Sequence, residues 1–134
     1  MAVLIVDGRK EIRELLEDMA RAKGMSAESF PDWHRAIWAL AGSEIAGAVK
    51  FNLVAVSREN ASTPLPDIVA EARLIRPDIK FFVLTTSSLP EVISELVSFG
   101  RGVAGAFEPI DFLAFSAVVD GLERAAGDAQ GREL

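Results

Sequence analysis

The most constraining feature of this chain is a short, mostly apolar run at residues 51–56, FNLVAV, which Ser57 closes. Such a run, with little polar alternation, is typical of a strand that is buried on both faces in the middle of an α/β sheet. The loop that follows, SRENASTP, is long for a connection from a strand to a helix. Open parallel sheets bind ligands in the crevice at the carboxyl ends of their strands, so Ser57 is expected to lie where a functional site would be.

Strands and helices are predicted to alternate along the rest of the chain. Apolar runs predict further strands at residues 2–6, 80–84 and 103–107, and a more polar edge strand at 25–30. Apolar side chains at helical spacing predict five helices, which begin at about residues 9, 31, 65, 88 and 111, with a connecting segment at 42–50 and the last helix running to about Ala125. Ser88 and Glu91 have the spacing of a capping box for the fourth helix, and Asp111 can cap the fifth. The pattern predicts an α/β fold with a doubly wound, five-stranded parallel sheet.

A single domain accounts for the 134 residues, predicted as residues 1–125 followed by a polar carboxyl-terminal tail or linker at 126–134. Both a free-standing protein and the amino-terminal part of a longer regulator fit this division. The net charge of −6 argues against direct nucleic acid binding. The apolar run at residues 2–6 is too short for a signal peptide or a membrane span, and the lack of cysteine fits a cytoplasmic location.

Four short segments stand at the carboxyl ends of predicted strands: LIVDG at 4–8, NLVAVS at 52–57, VLTT at 83–86 and FEPI at 107–110. By their order and spacing, the chain from about residue 2 to residue 122 resembles the receiver domain of bacterial two-component response regulators. The resemblance implies a flavodoxin-like three-layer sandwich with strand order 2-1-3-4-5. It also implies a cis peptide bond before Pro109, which the small trans preference of prolyl bonds permits.

The same resemblance assigns roles to five positions, three of which depart from the family pattern. In the family, two acids after the first strand hold Mg²⁺, and an aspartate ending the third strand accepts a phosphoryl group. A Ser or Thr after the fourth strand binds that group, and a Lys before the proline neutralises it. This sequence keeps Asp7 and Thr85 but has Gly8 for the second acid, Ser57 for the acceptor and Glu108 for the lysine.

These departures predict a degenerate phosphorylation pocket. Phosphoryl transfer needs a nucleophile, a divalent cation and positive groups on the phosphoryl oxygens. Ser57 would need a general base, and Glu108 would repel the phosphoryl dianion. Asp7 is the only remnant of the metal site, so we expect no metal, no cofactor and no enzyme activity. The aromatic residue that family members carry three positions before the Lys is replaced by Gly105. The resemblance therefore implies a pseudo-receiver.

The last predicted helix carries more apolar residues than one buried face requires. Leu113, Ala114 and Val118 lie near the surface formed by the fourth helix, fifth strand and fifth helix, which the family uses for dimers and partners. We therefore predict a homodimer or a protein partner at that face. The predicted function is signal transduction or transcription regulation, through protein contact and independent of aspartyl phosphorylation.

An alternative is a binding module, in which a small ligand, a cation or a modification of Ser57 acts in the crevice formed with Asp7, Thr85 and Glu108. A doubly wound enzyme is a weaker alternative, because no nucleophile–base pair or dinucleotide fingerprint is present. Asp7 and Glu108 could also form a carboxylate pair suited to acid–base chemistry. The favoured interpretation is that Glu108 turns outward to solvent.

Three further side chains on the second predicted helix could suggest a site. We interpret His34 as a solvated surface residue. Trp33 and Trp38 are interpreted as residues of the core and its rim, and not as a ligand platform.

Overall fold

The computed structural model describes residues 1–47 and 50–133, with side chains up to residue 124 in the last helix. The strands are β1 (Ala2–Val6), β2 (Ser26–Phe30), β3 (Leu53–Ser57), β4 (Lys80–Thr85) and β5 (Val103–Phe107). The helices are α1 (Lys10–Ala22), α2 (Trp33–Ala46), α3 (Leu65–Ile75), α4 (Pro90–Ser98) and α5 (Phe112–Glu133). None of the described helices combines the length and apolar character needed to cross a bilayer.

The five strands form one sheet in the order β2-β1-β3-β4-β5, and every neighbouring pair is parallel. This confirms the predicted α/β fold and its strand order. β3 lies in the centre, and every residue of β1 and β3 is buried. β2 and β5 lie at the edges and are only partly buried, which is why their sequences are more polar or carry smaller side chains.

Two hydrophobic clusters cover the two faces of the sheet and make a three-layer sandwich. One face packs against α2 and α3, with Leu96 of α4 and its C-cap residue Phe99 at the border. The opposite face packs against α1 and α5. The rings of Phe82 and Phe115 lie 5.4 Å apart between their centroids and join β4 to α5. Alternate side chains of each strand thus point into different layers, as expected for a sheet buried on both faces.

α2 is longer than predicted, because residues 42–46 are helical and do not form a connecting segment. A single glycine, Gly42, costs a helix only about 1 kcal/mol, so it did not end α2. The ion pair between Glu44 and Arg76, 2.8 Å from Oε1 to Nη1, fastens the added turn to the end of α3. Gly47 ends α2 instead, with a φ of 67° that glycine adopts readily. Ala48 and Val49, also in the predicted segment, lie outside the described residues.

The predicted capping box of the fourth helix is wrong. α4 begins at Pro90, so its N-cap is Leu89, and no side chain caps it. The fixed φ of proline and its missing N–H suit the first helical position, which leaves Ser88 outside the helix.

The start of α5 agrees with the prediction, whereas its end does not. The backbone N–H of Ala114 donates to Asp111 Oδ1 at 2.8 Å, which confirms the predicted cap. The helix then continues to Glu133, past the end predicted at about Ala125. Residues 126–133 of the predicted tail therefore have a helical backbone, and Leu134 lies outside the described residues.

Candidate functional site

The predicted site residues meet at the carboxyl edge of the sheet. Asp7 follows β1, Ser57 ends β3 and Thr85 ends β4, and all three are buried. Glu108 follows β5, and its peptide bond to Pro109 is cis, as predicted. The parallel strands all end at this edge, which is why residues far apart in sequence come together here.

Arg9 lies at the centre of this group and was not predicted as a site residue. Its Nε and Nη2 donate to Oδ1 and Oδ2 of Asp7 at 3.0 and 2.8 Å, a two-pronged contact. Its Nη1 donates to Glu108 Oε2 at 2.9 Å, and its Nη2 also contacts Glu108 Oε1. Nη2 is 3.4 Å from Ser57 Oγ as well. One guanidinium therefore joins both carboxylates of the site and touches the hydroxyl at the end of β3.

Glu108 does not turn outward to solvent, so that part of the sequence interpretation is wrong. Its side chain is 13% exposed and pairs with Arg9, which is 28% exposed. Hydrogen bonds from Arg9 to Glu108 and to Asp7 raise the pKa of the guanidinium above its already high ordinary value, so it stays charged. A permanent cation between two carboxylates pairs with both and offsets one of their two negative charges, so the site lacks the unpaired carboxylate pair that acid–base chemistry would need.

The backbone at Gly8 is held tightly against the loop after β3. Its N–H donates to the carbonyl oxygen of Asn60 at 2.7 Å. A Cβ at this position would lie 3.2 Å from the same oxygen, closer than ordinary van der Waals contact. Asn60 Nδ2 also donates to Ser57 Oγ at 3.1 Å. A second acidic side chain after β1 would thus require the loop to shift.

The residues present do not fit the Mg²⁺ that the receiver resemblance implies. Mg²⁺ needs carboxylate, carbonyl or water oxygens arranged around an open position. Here both carboxylates, Asp7 and Glu108, already bind the Arg9 guanidinium, which stands between them. Among the side chains that the structure describes, no three acidic, histidine or cysteine groups form a set that could hold a metal ion.

Glu59 is the second site residue that the sequence interpretation missed. Thr85 Oγ1 donates to its Oε2 at 2.9 Å, and the backbone N–H of Thr86 donates to its Oε1 at 2.7 Å. Thr86 Oγ1 donates to Oε1 at 3.2 Å. The only sequence signal was an acidic residue two positions after Ser57, in a loop that was treated as a plain connection.

The charge of Glu59 is stabilised where it lies. Burial alone raises the pKa of its carboxyl, but hydrogen bonds from Thr86, Thr85 and Arg58 outweigh burial and hold that pKa below its ordinary value. The carboxyl is therefore easier to ionise in the folded protein than in the unfolded chain. The stability that it contributes is present above its ordinary pKa and is lost as the pH falls through the folded value.

The predicted partner surface is only partly accessible. Leu113 is 77% exposed and Ala114 is also exposed. Val118, by contrast, is partly buried against the cluster that joins α5 to the sheet, so part of its side chain contributes to the core. The sequence predicts all three at the surface, and Val118 departs from that prediction. Helical spacing alone did not distinguish Val118, because it lies at the margin between the buried and exposed sides.

An apolar groove of about 630 Å³, called the α4–β5 groove below, lies between α4 and β5. Ile93, Leu96 and Val97 of α4 line one side, and Val103 and Phe107 of β5 line the other. A Cβ added at Gly105 would lie 2.6 Å from Leu96 Cδ1. The Leu96 side chain therefore fills the space above Gly105, the position at which the receiver resemblance implies an aromatic residue.

Comparison with solved structures identifies the architecture. The chain is similar to the chemotaxis protein CheY4 of Vibrio cholerae, with a TM-score of 0.75, 18% identity, and coverage of 90% of this chain and 97% of that chain. This chain has the fold of a receiver domain. It is also similar to the signal receiver domain of a putative Luxo repressor protein from Vibrio parahaemolyticus, with a TM-score of 0.77, 14% identity, and coverage of 96% and 95%.

A third similar structure is a CheY-like receiver domain protein from Methanospirillum hungatei, with a TM-score of 0.75, 15% identity, and coverage of 95% of this chain and 97% of that chain. No protein-family model and no curated protein sequence matches the chain. The likeness to receiver domains is one of fold, so the function has to be argued from the site.

Proposed function

We propose that this chain is a signalling module of the receiver type that acts through protein contact and not through aspartyl phosphorylation. The observation that supports this most directly is the Arg9 guanidinium held between Asp7, Glu108 and Ser57. It supplies from within the chain the positive charge that a receiver site would take from a metal ion. The module would act in two-component signalling or transcription regulation, in the cytoplasm, and would not be an enzyme.

The surroundings of Ser57 argue further against a phosphoryl-transfer step. Its Oγ accepts contacts from Arg9 Nη2 and Asn60 Nδ2. Neither group can take a proton from the hydroxyl, because a guanidinium and an amide nitrogen are donors only. Activation of a serine nucleophile requires a nearby base, so Ser57 is poorly suited to attack a phosphoryl donor.

The alternative of a ligand-binding crevice is less favoured. The polar groups that would receive a ligand are already paired within the chain, Asp7 and Glu108 with Arg9 and Thr85 with Glu59. A ligand would have to displace those partners before it could bind.

A thermal unfolding measurement tests the phosphorylation-independent proposal. We expect the midpoint of the chain to be unchanged by Mg²⁺ with beryllofluoride, which mimics an aspartyl phosphate. A ligand present at 100 times its Kd would add about 2.7 kcal/mol of stability, which would appear as a shift of several degrees. Beryllofluoride without Mg²⁺, and Mg²⁺ alone, serve as controls. A saturable shift that needs both components would contradict the proposal.

We further propose that the α4–β5 groove and Leu113 form the contact surface, to a second copy or another protein. Replacing Leu113 by Asp should weaken self-association about tenfold or more, because a charge would enter the apolar interface. The dissociation constant is measured by sedimentation over a concentration series, with circular dichroism to verify folding. Val118 is left unchanged because its side chain also packs against the core.

The matched control is Leu74→Asp. Leu74 lies on α3 and is 85% exposed, so the same substitution is made on a different helix. This variant should associate like the parent chain. Equal weakening by both substitutions, or no effect of Leu113→Asp on self-association, would refute this position for an interface between two copies of the chain.

A further inference from the structure

The carboxylate of Glu59 lies in a cradle of donors. The Thr85 hydroxyl, the Thr86 backbone N–H and the Thr86 hydroxyl all point at its two oxygens, at 2.9, 2.7 and 3.2 Å. Arg58 adds a guanidinium 3.2 Å from Oε2. Two hydroxyls, an amide and a cation around one position are the groups that stabilise a small anion. Glu59 supplies that anion from the loop after β3.

A first route connects this cradle to the start of α4. The backbone N–H of Ser87 donates to Thr85 Oγ1 at 3.1 Å, so the same hydroxyl that binds Glu59 also holds the next turn of the loop. The backbone N–H of Leu89, the N-cap of α4, then donates to Ser87 Oγ at 3.3 Å. Hydrogen bonds therefore connect Glu59, through Thr85 and Ser87, to the N-cap residue of α4.

A second route reaches the body of α4. Arg58 binds Glu59 through Nη1 and Glu95 of α4 through Nη2, each at 3.2 Å. Its own backbone N–H donates to the carbonyl oxygen of Leu84 at 2.8 Å, which fixes the start of the loop to β4. Leu96, the neighbour of Glu95, lines the α4–β5 groove. The charge of Glu59 is therefore coupled to the helix that forms one side of the groove.

We propose that Glu59 is a built-in anion that holds the loop between β4 and α4, and with it α4, in one position. The groove then has a fixed form without any phosphoryl group from outside. Thr85 and Thr86 have a resident partner, and loss of that partner would release the loop and the helix together. The inference rests on the proposed function only in taking the groove as the contact surface.

Hydrogen exchange on the whole chain tests this coupling. In Glu59→Ala, the amides of Thr86, Ser87 and α4 should exchange roughly tenfold faster, the factor expected for loss of one hydrogen bond to a charged group. Glu59→Gln keeps an acceptor without the charge and should give a smaller change. Glu14→Ala removes an exposed carboxylate from α1 and should leave α4 unchanged. Unchanged exchange in Glu59→Ala, or a uniform rise over all elements, would overturn the proposal.

Anion rescue provides the second readout. Inorganic phosphate added to Glu59→Ala should restore protection at Thr86 and α4 in a saturable way, because the vacated donors suit a small oxyanion. The parent chain should not respond, since its own carboxylate fills the cradle. A loss of protection that phosphate does not reverse would mean that Glu59 acts by packing alone, and the proposal would be wrong.

The two proposals fail separately in these experiments. Exchange reports on α4 in the chain by itself, whatever that chain contacts. Self-association and the response to beryllofluoride report on the proposed function. Suppose that Glu59→Ala exchanges faster at α4 as expected, but beryllofluoride with Mg²⁺ raises the unfolding midpoint of the parent chain. Only the proposed function would then be contradicted.

Discussion

Replacing Arg9 by methionine should lower the free energy of unfolding by about 3 kcal/mol, as expected when one partner of a largely buried ion pair is removed. Asp7 is fully buried and Glu108 is 13% exposed, so neither carboxylate could regain full hydration. Methionine keeps most of the apolar stem of the arginine, and the change therefore isolates the guanidinium. The loss is measured by urea unfolding at neutral pH.

Two control variants make this result specific to the site. Arg35→Met removes an arginine that is 68% exposed and should change stability by less than about 0.5 kcal/mol. Adding Glu108→Gln to Arg9→Met should recover part of the loss, because one unpaired charge is then removed. Equal stability of Arg9→Met and the parent chain would show that the guanidinium does not stabilise the two carboxylates.

Replacing Trp33 by alanine should lower the free energy of unfolding by about 4 kcal/mol, the range found for large aromatic residues removed from a core. Trp33 is 1% exposed and packs between α2 and the sheet. Its Nε1 also donates to Glu71 Oε2 of α3 at 2.8 Å, so it joins two helices. Trp33→Phe keeps most of the ring volume. Loss of the hydrogen bond to Glu71 should cost about 1 kcal/mol, in addition to the cost of the smaller ring.

Trp38 provides the matched control, because it is the same residue type on the same helix. It is 78% exposed, and Trp38→Ala should change stability by less than about 0.5 kcal/mol. Both variants are compared by chemical unfolding, and tryptophan fluorescence follows the remaining ring in each. Similar losses for the two substitutions would contradict the assignment of Trp33 to the core and Trp38 to the surface.

The fold was predictable because its signals are local and repeated. The run at residues 51–56 and those at 2–6 and 80–84 have too few polar residues for a sheet with a solvated face. They therefore required helices on both sides. The helix boundaries were predicted less well. Gly42 was expected to end the second helix, but α2 continues to Ala46, and Ser88 was expected to cap the fourth helix, but α4 begins at Pro90.

The candidate site was predictable in its location but not in its contacts. Asp7, Ser57 and Glu108 were expected at one edge, since parallel strands end together. The direction of Glu108 was predicted wrongly, because its partner Arg9 had not been recognised. The contacts of Glu59 were missed because its partners, Thr85 and Thr86, follow a different strand and meet it only in the folded chain. Which way a side chain leaves a loop depends on backbone contacts such as the one from Gly8 to Asn60, and spacing in sequence does not report them.

The amino-acid sequence by itself determined the α/β class, the burial of the central strand, and the serine and glutamate that stand at the carboxyl ends of the third and fifth strands. These follow from residue type and periodicity, which act over a few neighbouring residues. Only the tertiary structure decided that Arg9 would pair with both Asp7 and Glu108, and that Glu59 would reach Thr85 and Thr86. Buried charges must find partners, and those partners can be chosen only once folding has brought separate loops within hydrogen-bond distance.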